Sequence, residues 1–190
     1  LITSSIELPS VLEVFRALEK EGFKVTYLRV DEDGFVDIEE LKEALTPENV
    51  LVSIMYVNNE VGSIQPIKDA AKAIKDQNKD TLFHVDAVRA FGKIHLIRGL
   101  AGIDLLSLSG HKIYGPKGIG ALFVRDKVRL SPFLLGGGQE AGIRSGTENL
   151  PGIVGFGMAV DTCFKNISEW QSRMGELKKR LMDGIINEIP

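Results

Sequence analysis

Lys112 stands in the segment Ser109-Gly110-His111-Lys112-Ile113-Tyr114-Gly115-Pro116-Lys117-Gly118, a small turn followed by a glycine-bearing stretch. A lysine amine is nucleophilic only when neutral, so a site that lowers its proton affinity suits it to Schiff-base chemistry. Asp86 lies 26 residues earlier, closing the run His84-Val85-Asp86. A carboxylate there can hold a ring nitrogen protonated and keep a pyridoxal-type ring an effective electron sink. Asn58-Asn59-Glu60 forms a third polar cluster. Ser109 and His111 could also make a nucleophile–base pair, but the sequence has no GxSxG elbow, which disfavours a hydrolase. Most lysines are solvated surface charges, so the neighbours of Lys112, not its type, single it out.

These clusters need a scaffold that brings them together, and the hydrophobic pattern supplies one. Short apolar, β-branched runs at 1–6, 23–30, 50–57, 81–85, 104–108 and 119–124 read as strands. Between them fall helical periods: Pro9 with Val11, Val14, Phe15 and Leu18, closed by Gly22, and Pro66 with Ile67, Ala70, Ala71 and Ile74. Asp37 with Glu40 three residues on has the form of a capping box. The alternation predicts an α/β fold, a mainly parallel sheet with helices on both faces. In such sheets ligands bind beyond the carboxyl ends of the strands, where all three polar clusters fall. After Pro132 the pattern changes. Gly136–Gly138 leads through Ser145-Gly146-Thr147 to a helix start at Asn149, and Ser168 with Gln171 can cap a last long helix.

The 190 residues suffice for one domain with a sizeable core. A net charge of −3 argues against nucleic-acid or membrane-surface binding. No apolar run reaches the roughly 18 residues of a bilayer span. One cysteine, Cys163, makes an internal disulfide impossible, rules out cysteine-rich metal sites and fits a reducing, cytoplasmic setting. Its apolar helical context reads as a buried core thiol. No metal site is expected. His84 and His95 read as satisfied structural histidines, and Glu60 as a brace for its turn.

The segment 109–122 (SGHKIYGPKGIGAL) resembles the cofactor-lysine signature of cysteine desulfurases, in the class V aminotransferase group. VNNEVG at 57–62, HVDA at 84–87 and GGGQEAGIRSGTENLPGIVG at 136–155 are similar to that family in the same order. The resemblance covers essentially the whole chain and implies a pyridoxal 5′-phosphate fold of the large-domain type. By position, Lys112 matches the Schiff-base lysine, and Asp86 the carboxylate on the pyridine nitrogen. Asn59 matches the asparagine near the phenolic oxygen, and Ser109 and His111 a phosphate-contacting pair. Thr147 matches a threonine that reaches the phosphate of a partner subunit, which implies a homodimer. The implied reaction converts L-cysteine to L-alanine and leaves sulfur on an enzyme cysteine for iron–sulfur or other sulfur biosynthesis, with a sulfur-acceptor or scaffold protein as partner.

Two positions depart from the family pattern. Leu8 stands where a histidine is usual, and it offers the ring apolar cover without acid–base capacity. Arg89 stands where glutamine is common; it either stabilises a phenolate or turns outward to solvent. The resemblance also implies that residues 1–190 are a partial large domain, lacking the first phosphate-binding turn, the sulfur-accepting cysteine and the small C-terminal domain. The competing expectations are an inactive dimerising or scaffold module, or a sibling chemistry such as selenocysteine lyase or aminotransferase.

Overall fold

The computed structural model describes residues 1–96 and 102–189. Six strands, β1 (Ile2–Ser4), β2 (Thr26–Leu28), β3 (Leu51–Met55), β4 (Leu82–Asp86), β5 (Leu105–Ser109) and β6 (Gly120–Val124), form one sheet. Their order is β2-β1-β3-β4-β5-β6, and every pairing is parallel except β5 with β6. Among the described residues four α-helices accompany them: α1 (Pro9–Lys20), α2 (Ile38–Ala44), α3 (Ile67–Gln77) and α4 (Leu150–Glu188).

The main core lies between the sheet and the helices α2 and α3. Val52, Ile54, Phe83, Val85 and Leu106 pack there with Leu41, Ile67, Ala70 and Ile74. Alternate strand residues point the other way, and several of these are polar. Ser53 Oγ and Ser107 Oγ bond the two ring nitrogens of His84 at 2.7 and 2.8 Å, and Thr3 Oγ1 donates to Ser53 O at 3.0 Å. This hydroxyl–imidazole chain ties β1, β3, β4 and β5 together.

Asp104 locks the amino end of the sheet. Its Oδ2 accepts from Phe83 N at 2.8 Å and from Lys75 Nζ at 2.5 Å, and Arg125 Nε lies 3.6 Å from Oδ1. Lys75 comes from α3 and Arg125 from the residue after β6, so one carboxylate joins three elements.

Several expected elements are present with different limits. The strand expected over 23–30 is only Thr26–Leu28, with Val30 bridged instead to Val36. β3 stops at Met55 because Val57 turns to bridge Ile64. The Asp37–Glu40 capping box does not form: Asp37 caps the helix by accepting from Glu39 N at 2.8 Å. Glu40 turns to Arg29 instead, accepting from its backbone N at 3.2 Å and its Nε at 3.3 Å.

Ser168 does not start a helix. It lies inside α4, one helix of 39 residues that Asn149 begins by accepting from Gly152 N at 3.1 Å. Residues 158–174 hold no Gly or Pro to interrupt it. Gln171, expected to help cap a new helix, donates to Lys93 O at 2.7 Å. Among the described residues no helix is long and apolar enough to cross a membrane.

Candidate active site at the strand ends

The chain runs from β1 through α1 to β2 on one side, then crosses through α2 to β3 on the other side of β1. This reversal opens a crevice beyond the carboxyl ends of β1 and β3. A cavity of about 430 Å³ lies here, bordered by Ile6, Glu7 and Leu8 after β1 and by Asn58, Asn59 and Glu60 after β3. Asn58 shapes it. Its Oδ1 accepts from Glu60 N at 2.9 Å and Val61 N at 3.0 Å, while Nδ2 donates to Ile6 O at 3.2 Å. With Asn58 buried in this turn, Asn59 is left half-buried on the cavity wall, donating to Glu60 Oε1 at 2.7 Å. Glu60 thus braces its turn as expected. Leu8 borders the same cavity as Asn59.

Asp86 ends β4 and is buried. Its Oδ1 accepts from Val88 N at 2.9 Å. Burial pushes its carboxyl above the ordinary range, opposed by the Val88 N–H and by the Arg89 guanidinium. Of the two readings of Arg89, the structure supports the inward one: the residue is half-buried, and its Nε is buried with no partner among the described residues. Glu7 completes this group. It is buried and carries its carboxyl up to about 7, through desolvation first and also through the nearby Asp86 charge.

Ser109 ends β5, and the chain turns at once through a short 3-10 helix, Gly110–Ile113. The turn is tight enough to require glycine, because a Cβ at Gly110 would meet Ile119 Cγ2 at 2.8 Å. Tyr114 closes it in a left-handed conformation at φ 67°. Ser109 Oγ and His111 Nδ1 are 3.0 Å apart at the exposed rim. Lys112 borders a second cavity of about 350 Å³ with Lys93, Tyr114, Cys163 and Trp170. Lys93 titrates below the usual lysine range, from burial and from the charges of Arg89 and Lys112. Three cations therefore cluster near the turn, a setting suited to an anionic ligand.

Thr147 is exposed and borders neither of these cavities. Its loop folds on itself: Ser145 N donates to Leu134 O at 3.2 Å, Gly138 N to Ser145 Oγ at 3.3 Å, and Gly146 N to Gln139 Oε1 at 2.9 Å. The Gly136–Gly138 stretch is thus tied by hydrogen bonds to the Ser145-Gly146 segment it leads into. His84 is the satisfied structural histidine expected. His95 is exposed, not enclosed, because it sits in a loop outside the sheet. Cys163 is buried, 3.5 Å from Ile113 O, directly behind the Lys112 turn. Sequence reasoning passed over Glu7, Ser53 and Ser107. A lone Glu between Ile6 and Leu8 was the available signal for Glu7; single serines in apolar strands gave none.

The sheet order and the polar strand ends define an open α/β protein with a ligand crevice at its switch point. The model of the aminotransferase class-V family matches residues 1–189. A cysteine desulfurase IscS of Clostridium botulinum is 47% identical over 190 residues, all of this chain and 47% of that protein. The solved structure of a NifS-like protein superposes with a TM-score of 0.96 at 45% identity, covering 98% of this chain and 51% of that one. A structure titled SspA in complex with cysteine matches at 0.80 and 48% identity, over 84% of this chain and 46% of that one. The chain belongs to the class-V aminotransferase family. It spans about half the length of the curated relatives it matches.

Proposed function

We propose that this chain is the cofactor-holding large part of a pyridoxal-phosphate-dependent cysteine desulfurase. What supports the reading is the position of Asp86 at the end of β4 and of Ser109, His111 and Lys112 at and just after the end of the adjacent strand β5. The residues present suit the group: a buried carboxylate for a ring nitrogen, a hydroxyl–imidazole pair for a phosphate, and an amine on a rigid turn. Bound pyridoxal phosphate supplies an electron sink for the substrate's α-carbon.

The protein's part is to hold and orient. Asp86 keeps the ring nitrogen protonated. Ser109 and His111 donate to the phosphate, with Lys93 and Arg89 adding positive potential. Asn59 donates from the crevice wall. Leu8 offers apolar contact and no titrating group, which leaves proton movement to Lys112 Nζ. The proposed substrate is L-cysteine, with L-alanine as product and sulfur passed to a cysteine thiolate. Thr147, exposed on its loop, is available to a second subunit, so the working form is proposed to be a cytoplasmic homodimer that hands sulfur to an acceptor protein.

The test is chemical. Pyridoxal phosphate is added to the chain, fixed with borohydride, and the labelled peptide is mapped. Label on Lys112, lost in Lys112→Ala, is expected; label on Lys93 or Lys117 instead would overturn the assignment.

A further inference from the structure

Glu7 is only 5% exposed at the crevice between β1 and β3. Its two oxygens differ. Oε1 accepts from Ser4 Oγ at 2.7 Å and from Met55 N at 2.6 Å. Oε2 is buried and has no partner among the described residues. The neighbouring carboxyl, Asp86, has what Glu7 lacks: a nearby guanidinium, Arg89, as well as the Val88 N–H. Two buried carboxyls that feel each other do not ionise together easily, and the one beside the cation releases its proton first.

We propose that Glu7 is a positioning residue that carries a proton on its buried Oε2 in the folded chain, so that Asp86, beside the Arg89 guanidinium, is the one of the two carboxyls that ionises first. The choice of oxygen follows from the hydrogen bonds. Two donors already occupy Oε1, so the proton resides on Oε2. An ionised Glu7 would leave its buried Oε2 without a donor, a desolvation cost that outweighs the help of the Ser4 and Met55 donors on Oε1. Asp31, Glu32 and Glu60 border the same cavity, and Asp86 is the charge that acts on Glu7. The benefit to the reaction rests on the functional reading above: Asp86 stays available as the anionic partner of a ring nitrogen.

The folded chain binds the Glu7 proton more tightly than the unfolded chain. The resulting stability is present below about 4.5 and is lost as pH rises through about 7. The whole chain, carboxyl-labelled with ¹³C at glutamate, is titrated by NMR beside Glu7→Gln. One resonance moving near neutrality and missing from the variant is expected. Glu7→Gln keeps the Oε1 acceptor and removes the titration. Its melting temperature, relative to wild type, should therefore climb by several degrees between about pH 5 and pH 8. Glu7→Ala, which strips the Met55 N–H of its acceptor, should melt lower at both. A Glu7 resonance titrating in the ordinary carboxylate range, or parallel melting profiles for wild type and Glu7→Gln, would overturn the proposal. Neither readout needs cofactor, so failure of Lys112 labelling and failure here are separate results.

Discussion

Asp104 and Glu7 are two buried acids at opposite ends of one sheet, 6% and 5% exposed. Asp104, at the amino end, has a backbone N–H and two cations around it. Glu7, at the carboxyl end, has one oxygen held twice and the other with no partner among the described residues. Arg89 repeats the pattern, its buried Nε having no partner among the described residues. Buried polar atoms cost free energy when left unpaired, so a fold tolerates them where they serve something besides stability. The amino end is built to hold the sheet together, and the carboxyl end keeps unspent hydrogen-bonding capacity around a crevice.

That contrast can be broken most directly at Asp104. Asp104→Ala leaves the Phe83 N–H without its acceptor and takes the carboxylate from Lys75, which keeps Thr81 O at 2.7 Å, and should cost about 3 kcal/mol, read by denaturant unfolding. A loss within experimental error would mean that the amino end is not the structural one. His84 comes next. Burial lowers its imidazole from 6.5 to about 4, so the unfolded chain takes up the proton first as pH falls. Stability should drop across that window by up to roughly 3 kcal/mol. This slope is opposite in sign to that of Glu7 and should stand out most cleanly in the Glu7→Gln background; a His84 ring resonance titrating near 6.5 would refute it. The smallest effect is expected at the far end of α4. Leu181 is 65% exposed there, and Leu181→Ala should change the unfolding free energy of this chain by no more than about 0.5 kcal/mol. A larger loss would show that α4 is packed in solution.

Much of this was legible in the residue order. Pro9, Pro66 and Asn149 start helices where their chemistry requires, and Asp37 caps through its carboxylate. The Ser109–Gly118 turn announced Lys112 through its small residues. Other features were hidden. Glu40 had two possible partners, and the tertiary fold delivered Arg29. The polar chain through Ser53, His84 and Ser107 is formed by residues far apart in sequence, and only strand register makes them neighbours.

The sequence by itself determined which segments are strands and helices, because periodicity, prolines and caps act within a few residues. It also determined that Asp86, Ser109, His111 and Lys112 belong to strand ends. The tertiary structure alone decided that β1 and β3 part at a crevice, that Arg89 turns inward, and that Glu7 feels the Asp86 charge while one of its oxygens has no partner among the described residues. Those outcomes depend on burial and on charges brought together across the sheet, and the free energy of a buried charge is set by its neighbours in space, whatever their separation along the chain.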